Sequence, residues 1–171
     1  MAIDLLPERF DAAAQRALLR AIEDVVRAAP WFVPRMPRTG KAFSVRMTNC
    51  GPLGWVSDVD GYRYQPLHPA TGRPWPAIPQ PLLDLWDAVA GVEAPPEACL
   101  VNLYDTKARM GLHQDRDEQT FEAPVVSVSL GDTAVFRIGG TTRTSTLLKN
   151  GGRINLTLRR VTPVAPPPAA P

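Results

Sequence analysis

The stretch Arg153-Ile-Asn-Leu-Thr-Leu-Arg159 limits the fold more than any other part of this chain. Its polar and apolar residues alternate without a break. On an extended strand Arg153, Asn155, Thr157 and Arg159 share one side, while Ile154, Leu156 and Leu158 share the other. Such a strand has to bury its apolar face against another layer. Its polar face carries two guanidiniums, which are costly to bury without anions, so it suits a barrel interior that receives carboxylates. At about 3.3 Å per residue the two arginine Cα atoms lie roughly 20 Å apart and reach inward from opposite ends. An edge strand with its polar face in water fits the same alternation, and on composition alone that reading is favoured.

The rest of the chain supplies the context. Residues 101–104, 110–113, 125–130, 134–138, 144–148 and 154–158 are short alternating or β-rich runs separated by turn residues. Earlier, Phe10, Ala14, Leu18, Ile22 and Val25 recur at helical spacing, with Pro7 suiting a first turn and Pro30 ending the run. The spacing predicts a second helix over 81–89, with Leu82, Leu85, Trp86 and Val89 inward and Gly91 as its stop. Between the helices, residues 31–80 are rich in Pro and Gly, with β-like pieces at 43–47 and 61–64. Helices followed by many short strands predict an α+β chain whose C-terminal half is a sandwich or jelly roll. Residues 163–171 are Pro/Ala-rich without a core-forming pattern, and disorder is expected there.

A length of 171 residues suits one domain with a substantial core. Apolar and charged fractions of 44% and 21% belong to an ordinary globular chain, and no apolar run approaches a membrane span. The first residues, MAIDLLPERF, have no basic region leading into an apolar stretch, so the expected location is the cytoplasm. Cys50 and Cys99, far apart in sequence and outside any CxxC, read as buried or free thiols in a reducing compartment. The net charge of +2 decides nothing, but residues 31–80 hold Arg35, Arg38, Lys41, Arg46, Arg63 and Arg73 against Asp58 and Asp60. The same stretch holds seven of the twelve aromatics, Trp31, Phe32, Phe43, Trp55, Tyr62, Tyr64 and Trp75. Cations beside aromatic faces suit a phosphate backbone and an unstacked base. On composition alone, aromatics that simply pack a loop-rich cap onto the body are the stronger reading.

Two short motifs add chemistry. In His113-Gln-Asp115 an imidazole and a carboxylate two residues apart point to one side of a strand. That is two-thirds of the 2-His-1-carboxylate set that holds non-haem Fe(II). Asn102-Leu-Tyr104 places two hydrogen-bonding side chains on one strand face, where they could orient a bound acid without adding charge.

Taken in order, NxY, HxD and RxNxTxR resemble the AlkB family of Fe(II)/2-oxoglutarate dioxygenases. Met47-Thr-Asn-Cys-Gly-Pro-Leu-Gly-Trp55, Gly61-Tyr-Arg-Tyr64, Leu112-His-Gln-Asp-Arg-Asp-Glu118 and Ala123-Pro-Val-Val-Ser-Val-Ser-Leu-Gly131 extend the resemblance over residues 42–161. It implies a double-stranded β-helix, or jelly roll, with N-terminal helices and a nucleotide-recognition lid. The implied layout is one domain over 1–162, with the lid at 31–80 and the jelly-roll core at 100–162. The resemblance makes His113 and Asp115 iron ligands. Arg153 would pair with the far carboxylate of 2-oxoglutarate, Arg159 would sit near its metal-bound end, and Asn102 and Tyr104 would hydrogen-bond it; Asn155, on the same strand face as the two arginines, is grouped with this cosubstrate site. Trp55 would stack on a flipped, alkylated base with His113 on its other side. Tyr62 would contact a phosphate, and Asp117 would lie near the base edge. The implied activity is oxidative demethylation of bases of the 1-methyladenine and 3-methylcytosine type in single-stranded DNA or RNA, in DNA repair. It would use Fe(II), 2-oxoglutarate and O2, and the expected state is a monomer.

One element of the family pattern has no match. The family carries a second histidine between HxD and the first arginine, after a Gly-Asp turn and a further strand. Here Thr146-Leu-Leu-Lys149 leads straight into Asn150-Gly-Gly-Arg153, and His68 and His113 are the only histidines of the sequence. His68, flanked by prolines in the cap, reads as a surface-loop residue with no strand to aim it at a metal. Two explanations stand: an internal deletion that takes inner strands and impairs the chemistry, or a shortened version of an active protein. The competing functions are a catalytically impaired family member that binds single-stranded nucleic acid, and an oxygenase acting on a small molecule or a protein.

Overall fold

The computed structural model describes residues 4–106, 108, 110, 119, 123–133 and 152–163. Their elements run α1 (Ala12–Ala28), β1 (Arg46–Cys50), β2 (Gly54–Asp58), β3 (Gly61–Gln65), α2 (Gln80–Val89), β4 (Ala98–Tyr104), β5 (Val126–Gly131) and β6 (Arg153–Arg159). The strands expected at 134–138 and 144–148, all but Met110 of the one expected at 110–113, and nearly all of the expected disordered tail lie outside the described residues.

The alternating stretch forms β6, and it lies between β4 and β5 in an antiparallel sheet of order β1-β4-β6-β5. Both of its ladders are paired, which rules out the edge-strand reading. The pleat then sorts the residues by face. Cys50, Cys99, Val101, Val128, Leu130, Leu156 and Leu158 form one buried cluster with Leu18, Ile22 and Val25 of α1 and Leu82, Leu85 and Trp86 of α2. Each fully buried aliphatic side chain contributes about 1.5–3 kcal/mol of transfer free energy, so this layer anchors the sheet. Trp86, fully buried, donates its indole N–H to the Ala94 carbonyl at 3.0 Å, which satisfies its one polar atom. Cys50 faces Cys99 across β1 and β4, and both thiols are buried and free. Its hydrogen bond with Cys99 and its burial push the Cys50 thiol well up.

α1 begins later than Pro7 suggested. Asp11 is its N-cap, accepting the Ala14 N–H at 2.7 Å, and Pro7 belongs to the turn before it. The helix end is tied to the sheet by Thr48, whose hydroxyl donates to the Ala29 carbonyl at 2.7 Å. The β-like piece expected at 43–47 forms three residues later, as β1, and β2 was not expected at all. β2 pairs with β3 in a separate two-stranded sheet turned at Gly61, whose φ of +112° favours glycine. Gly54 opens β2 in close quarters, since a Cβ there would lie 2.4 Å from the Trp75 ring.

Candidate active site

The face of the four-stranded sheet turned away from the helices is polar. The register sets Asn102 opposite Asn155, and Tyr104 opposite Arg153. On the other side of β6, Ser129 faces Asn155 and Ser127 faces Thr157. Asn155 is buried and its amide is engaged within the sheet. It donates to Ser127 Oγ at 2.8 Å and to the Val128 carbonyl at 3.2 Å, and it accepts the Thr157 hydroxyl at 3.0 Å. Its role is therefore to fix the polar face, with no donor left over for a ligand. The two serines that complete this network were not singled out from sequence, although the alternation Val-Ser-Val-Ser-Leu in β5 is the signal that places them.

Arg153 sits over the ring of Tyr104, with Cζ 5.7 Å from the centroid, and donates to Ser129 Oγ at 2.5 Å. No carboxylate pairs with it among the described residues. Burial pushes the Arg153 guanidinium down and the Tyr104 hydroxyl up, the latter partly offset by the arginine itself. A cation half withdrawn from water and held by neutral groups attracts an anion. Asn102, opposite Asn155 on the same sheet face, is 4% exposed, and among the described residues its Oδ1 has no hydrogen-bond partner. Turning that amide over offers an N–H at the same place, since its two ends differ only in which atom is placed where. A guanidinium, a phenol and an unsatisfied amide on one face fit a short dicarboxylate. Arg159 ends the strand opposite Ala98 and is half-buried.

Glu97 holds that end of β6. Its Oε2 accepts the N–H groups of Val161 and Thr162 at 2.9 and 2.7 Å, and its Oε1 accepts the Thr162 hydroxyl at 2.7 Å. Its own N–H donates to the Arg159 carbonyl at 2.9 Å. Burial pushes the carboxyl up, but these donors and the Arg160 guanidinium outweigh it and leave the group below its ordinary value. A glutamate just before a strand carries no recognisable sequence signal, and it was missed.

Trp55 of β2 reaches the same face. It packs with Phe43, Leu100 and Tyr104 around buried Val45, Met47 and Ala108. Asn49, fully buried, fixes its backbone: Asn49 Oδ1 accepts the Trp55 N–H and Nδ2 donates to the Trp55 carbonyl, both at 3.0 Å. Tyr62 of β3 stacks on the indole, with centroids 5.7 Å apart and planes 18° apart. The structure thus brings together Asn102, Tyr104, Arg153, Asn155 and Trp55, with Tyr62 behind Trp55. The expected ligands His113 and Asp115, and Asp117, lie outside the described residues.

His68 is not a surface residue. It is 2% exposed, packed edge-on against Phe32 and beside Trp75. Its Nδ1 accepts the N–H groups of Ala70 and Thr71 at 3.1 and 3.2 Å, so Nε2 carries the proton and donates to the Pro30 carbonyl at 2.8 Å. Neither nitrogen is left for a metal. Among the described residues no three of His, Cys, Asp and Glu gather as a metal-binding group. Nor is any helix among them long and apolar enough to cross a membrane.

Comparison with known proteins agrees with this geometry. The family described as the 2OG-Fe(II) oxygenase superfamily matches residues 3–149. A Caulobacter vibrioides protein named alpha-ketoglutarate-dependent dioxygenase AlkB homolog is 47% identical over 191 aligned positions, covering 92% of this chain and 86% of that protein. The Escherichia coli K12 protein named alpha-ketoglutarate-dependent dioxygenase AlkB is 43% identical over 143 positions, covering 81% of this chain and 66% of that protein. A shorter match, 48% over 48 residues, covers 26% of this chain and 11% of an Arabidopsis thaliana protein named DNA N(6)-methyladenine demethylase ALKBH1D. The Caulobacter alignment spans 191 positions against the 171 residues present here, so that relative has residues with no counterpart in this chain.

Proposed function

Because the chain belongs to the 2OG-Fe(II) oxygenase superfamily and to its AlkB type, we propose that it removes alkyl groups from nucleic-acid bases by oxidation, with Fe(II), 2-oxoglutarate and O2. The observation that carries the proposal is the Arg153 guanidinium, half-buried over Tyr104 on the sheet face that also carries Asn102, whose Oδ1 has no partner among the described residues. Arg153 would take the far carboxylate of 2-oxoglutarate, while Asn102 and Tyr104 would donate to it. The Tyr104 hydroxyl, pushed up by burial, stays protonated at neutral pH and remains a donor. Arg159, held through the Glu97 contacts, would serve the end nearer the metal.

His113 and Asp115 are the proposed iron ligands. The bound iron, O2 and 2-oxoglutarate together supply the oxidising chemistry, with succinate, carbon dioxide and formaldehyde as products. The protein's own share is to orient the cosubstrate, exclude water and hold the base. In this reading residues 31–80 form a lid over a jelly-roll core at 100–162, within one domain over 1–162. Trp55 is the stacking surface for a flipped base, Tyr62 lies on the phosphate side and Asp117 at the base edge. Base extrusion favours unpaired strands, so single-stranded DNA or RNA carrying 1-methyladenine or 3-methylcytosine is the proposed substrate. A monomer working in the cytoplasm completes the proposal.

A second reading is favoured by two observations. The aligned relative is longer in places, and both nitrogens of His68 are occupied. If the missing residues include the distal histidine and inner strands, His113 and Asp115 hold iron weakly, and the protein is a nucleic-acid binder with impaired turnover. The test is to incubate the protein with a 3-methylcytosine oligonucleotide and to follow the oligonucleotide mass and the succinate. Demethylation that requires both Fe(II) and 2-oxoglutarate supports the first reading. Oligonucleotide binding without any demethylation refutes it in favour of the second.

A further inference from the structure

We propose that Asn49 is a positioning residue for the substrate base: its buried amide ties the main chain of Trp55 to the four-stranded sheet and so sets where the indole stands over the face that carries Tyr104 and Arg153. The inference rests on the reading of Trp55 as the surface on which a base stacks. The two faces of β1 are used differently. Thr48 and Cys50 point to the helices, where Thr48 bonds the Ala29 carbonyl and Cys50 joins the main core. Met47 and Asn49 point the other way, and Met47 belongs to the cluster against which Trp55 packs.

The β2-β3 hairpin and the four-stranded sheet are separate sheets. Within the hairpin Trp55 pairs with Tyr64. A strand residue sends its N–H and C=O to one side, and those of Trp55 go to Asn49. The N–H donates to Oδ1 and the carbonyl accepts from Nδ2, both at 3.0 Å. The amide offers one acceptor and one donor, as a peptide group does, and stands in for a neighbouring strand at this one residue of β2. Asn49 is fully buried, where an amide is costly unless both ends are paired.

The sequence leaves room for this approach. Gly54 precedes Trp55, and a Cβ there would lie 2.7 Å from the Asn49 Cβ. Other restraints act on Trp55 in other ways. Its ring packs on Val45, Met47 and Ala108 and stacks on Tyr62, and its strand pairs with β3. Apolar packing is non-directional, whereas two hydrogen bonds to the main chain fix both distance and direction. They do so at the residue that would carry the base, and they anchor it to the sheet that would carry the cosubstrate.

The test measures how much better the protein binds a fluorescent single-stranded oligonucleotide with one 3-methylcytosine than the same strand with an abasic site there. Anisotropy gives this ratio at about pH 8 and about pH 5.5, on either side of the range that a buried carboxyl reaches. Loss of folded protein leaves the ratio alone, while a misplaced stacking surface lowers it. Asn49→Asp keeps the shape but, as a carboxylate, has no N–H for the Trp55 carbonyl. It should lower the ratio about fivefold at the higher pH, the lower end of what stacking contributes. In acid the introduced carboxyl takes up a proton and regains a donor, so the ratio should return toward that of wild type. Asn49→Ala lacks both ends of the amide and should lower the ratio at both pH values; it carries the comparison if Asn49→Asp fails to fold. A wild-type ratio in either variant at the higher pH, or an Asn49→Asp loss that acid does not reverse, would overturn the proposal. Trp55→Ala separates the premise from the inference. If it spares the ratio, the stacking reading of Trp55 fails. If it lowers the ratio while the Asn49 variants keep it, only the positioning role fails. Adding Asn49→Asp to Trp55→Ala should change nothing further, and an additional drop would overturn the proposal by showing that Asn49 acts through another residue.

Discussion

Replacing Glu97 by alanine removes the acceptor that closes the end of β6. Three donors lose their partner: the Val161 and Thr162 N–H groups at 2.9 and 2.7 Å and the Thr162 hydroxyl at 2.7 Å. Arg160, 3.5 Å away, loses its counter-charge. Hydrogen bonds to a charged group are worth about 1.5–3 kcal/mol each when buried. The Glu97 and Arg160 side chains keep 18% and 16% of their exposure, so water can replace part of the loss. A net destabilisation of about 2–4 kcal/mol follows, readable as a shift of the urea midpoint at pH 7. The pH dependence has a definite sign. The folded-state carboxyl lies below its ordinary value, so its contribution is complete above the unfolded value and is lost as the pH falls through the folded one. Wild type and variant should therefore converge as the pH drops below about 4.5. A variant within 0.5 kcal/mol of wild type at pH 7 (about the scatter of neutral surface changes), or a difference that does not shrink in acid, would refute the clamp.

Other substitutions test the remaining contacts. Arg153→Ala should weaken 2-oxoglutarate binding by about 3–5 kcal/mol, the usual loss on removing one partner of a buried charge pair, while leaving the protein folded. Calorimetry showing equal affinity would remove the cosubstrate assignment. His68→Ala strands the Pro30 carbonyl and the N–H groups of Ala70 and Thr71, and should cost about 3–5 kcal/mol in thermal unfolding. Its affinity for Mn(II) should be unchanged, and a loss of metal affinity would make His68 a ligand after all. Gly54→Ala forces a Cβ to within 2.4 Å of the Trp75 ring, and a loss of about 1–3 kcal/mol is expected from overpacking. An unchanged melting temperature would show that the ring can move aside.

Much of the sheet could be read from periodicity, because a strand between an apolar layer and a polar site has to alternate. Residues 153–159 and Asn102-Leu-Tyr104 did so, and they landed on adjacent strands with Arg153 opposite Tyr104. α2 was equally plain, since Leu82, Leu85 and Trp86 repeat at helical spacing. What failed depended on contacts distant in sequence. β2 begins at a glycine and ends at an aspartate, both poor strand formers, and it is fixed by its hairpin partner and by Asn49 from β1. His68 looked exposed because proline and glycine surround it, yet its ring fills the space between Phe32 and Trp75. Asn155 was grouped with the ligand-binding residues by its face alone, and only its serine partners reveal that its amide is already engaged.

The two-sidedness of β6 also protects the fold against error. A slip of one residue in its pairing would turn Arg153 and Arg159 toward Leu18, Leu82 and Trp86 and would carry Leu156 and Leu158 to the polar side. Burying two guanidiniums in that apolar layer costs several kcal/mol apiece, comparable to the whole margin of stability of a domain this size. The misregistered sheet is therefore excluded by the two arginines themselves. Neutral replacements at both arginines would remove a proofreading signal, whatever else they removed.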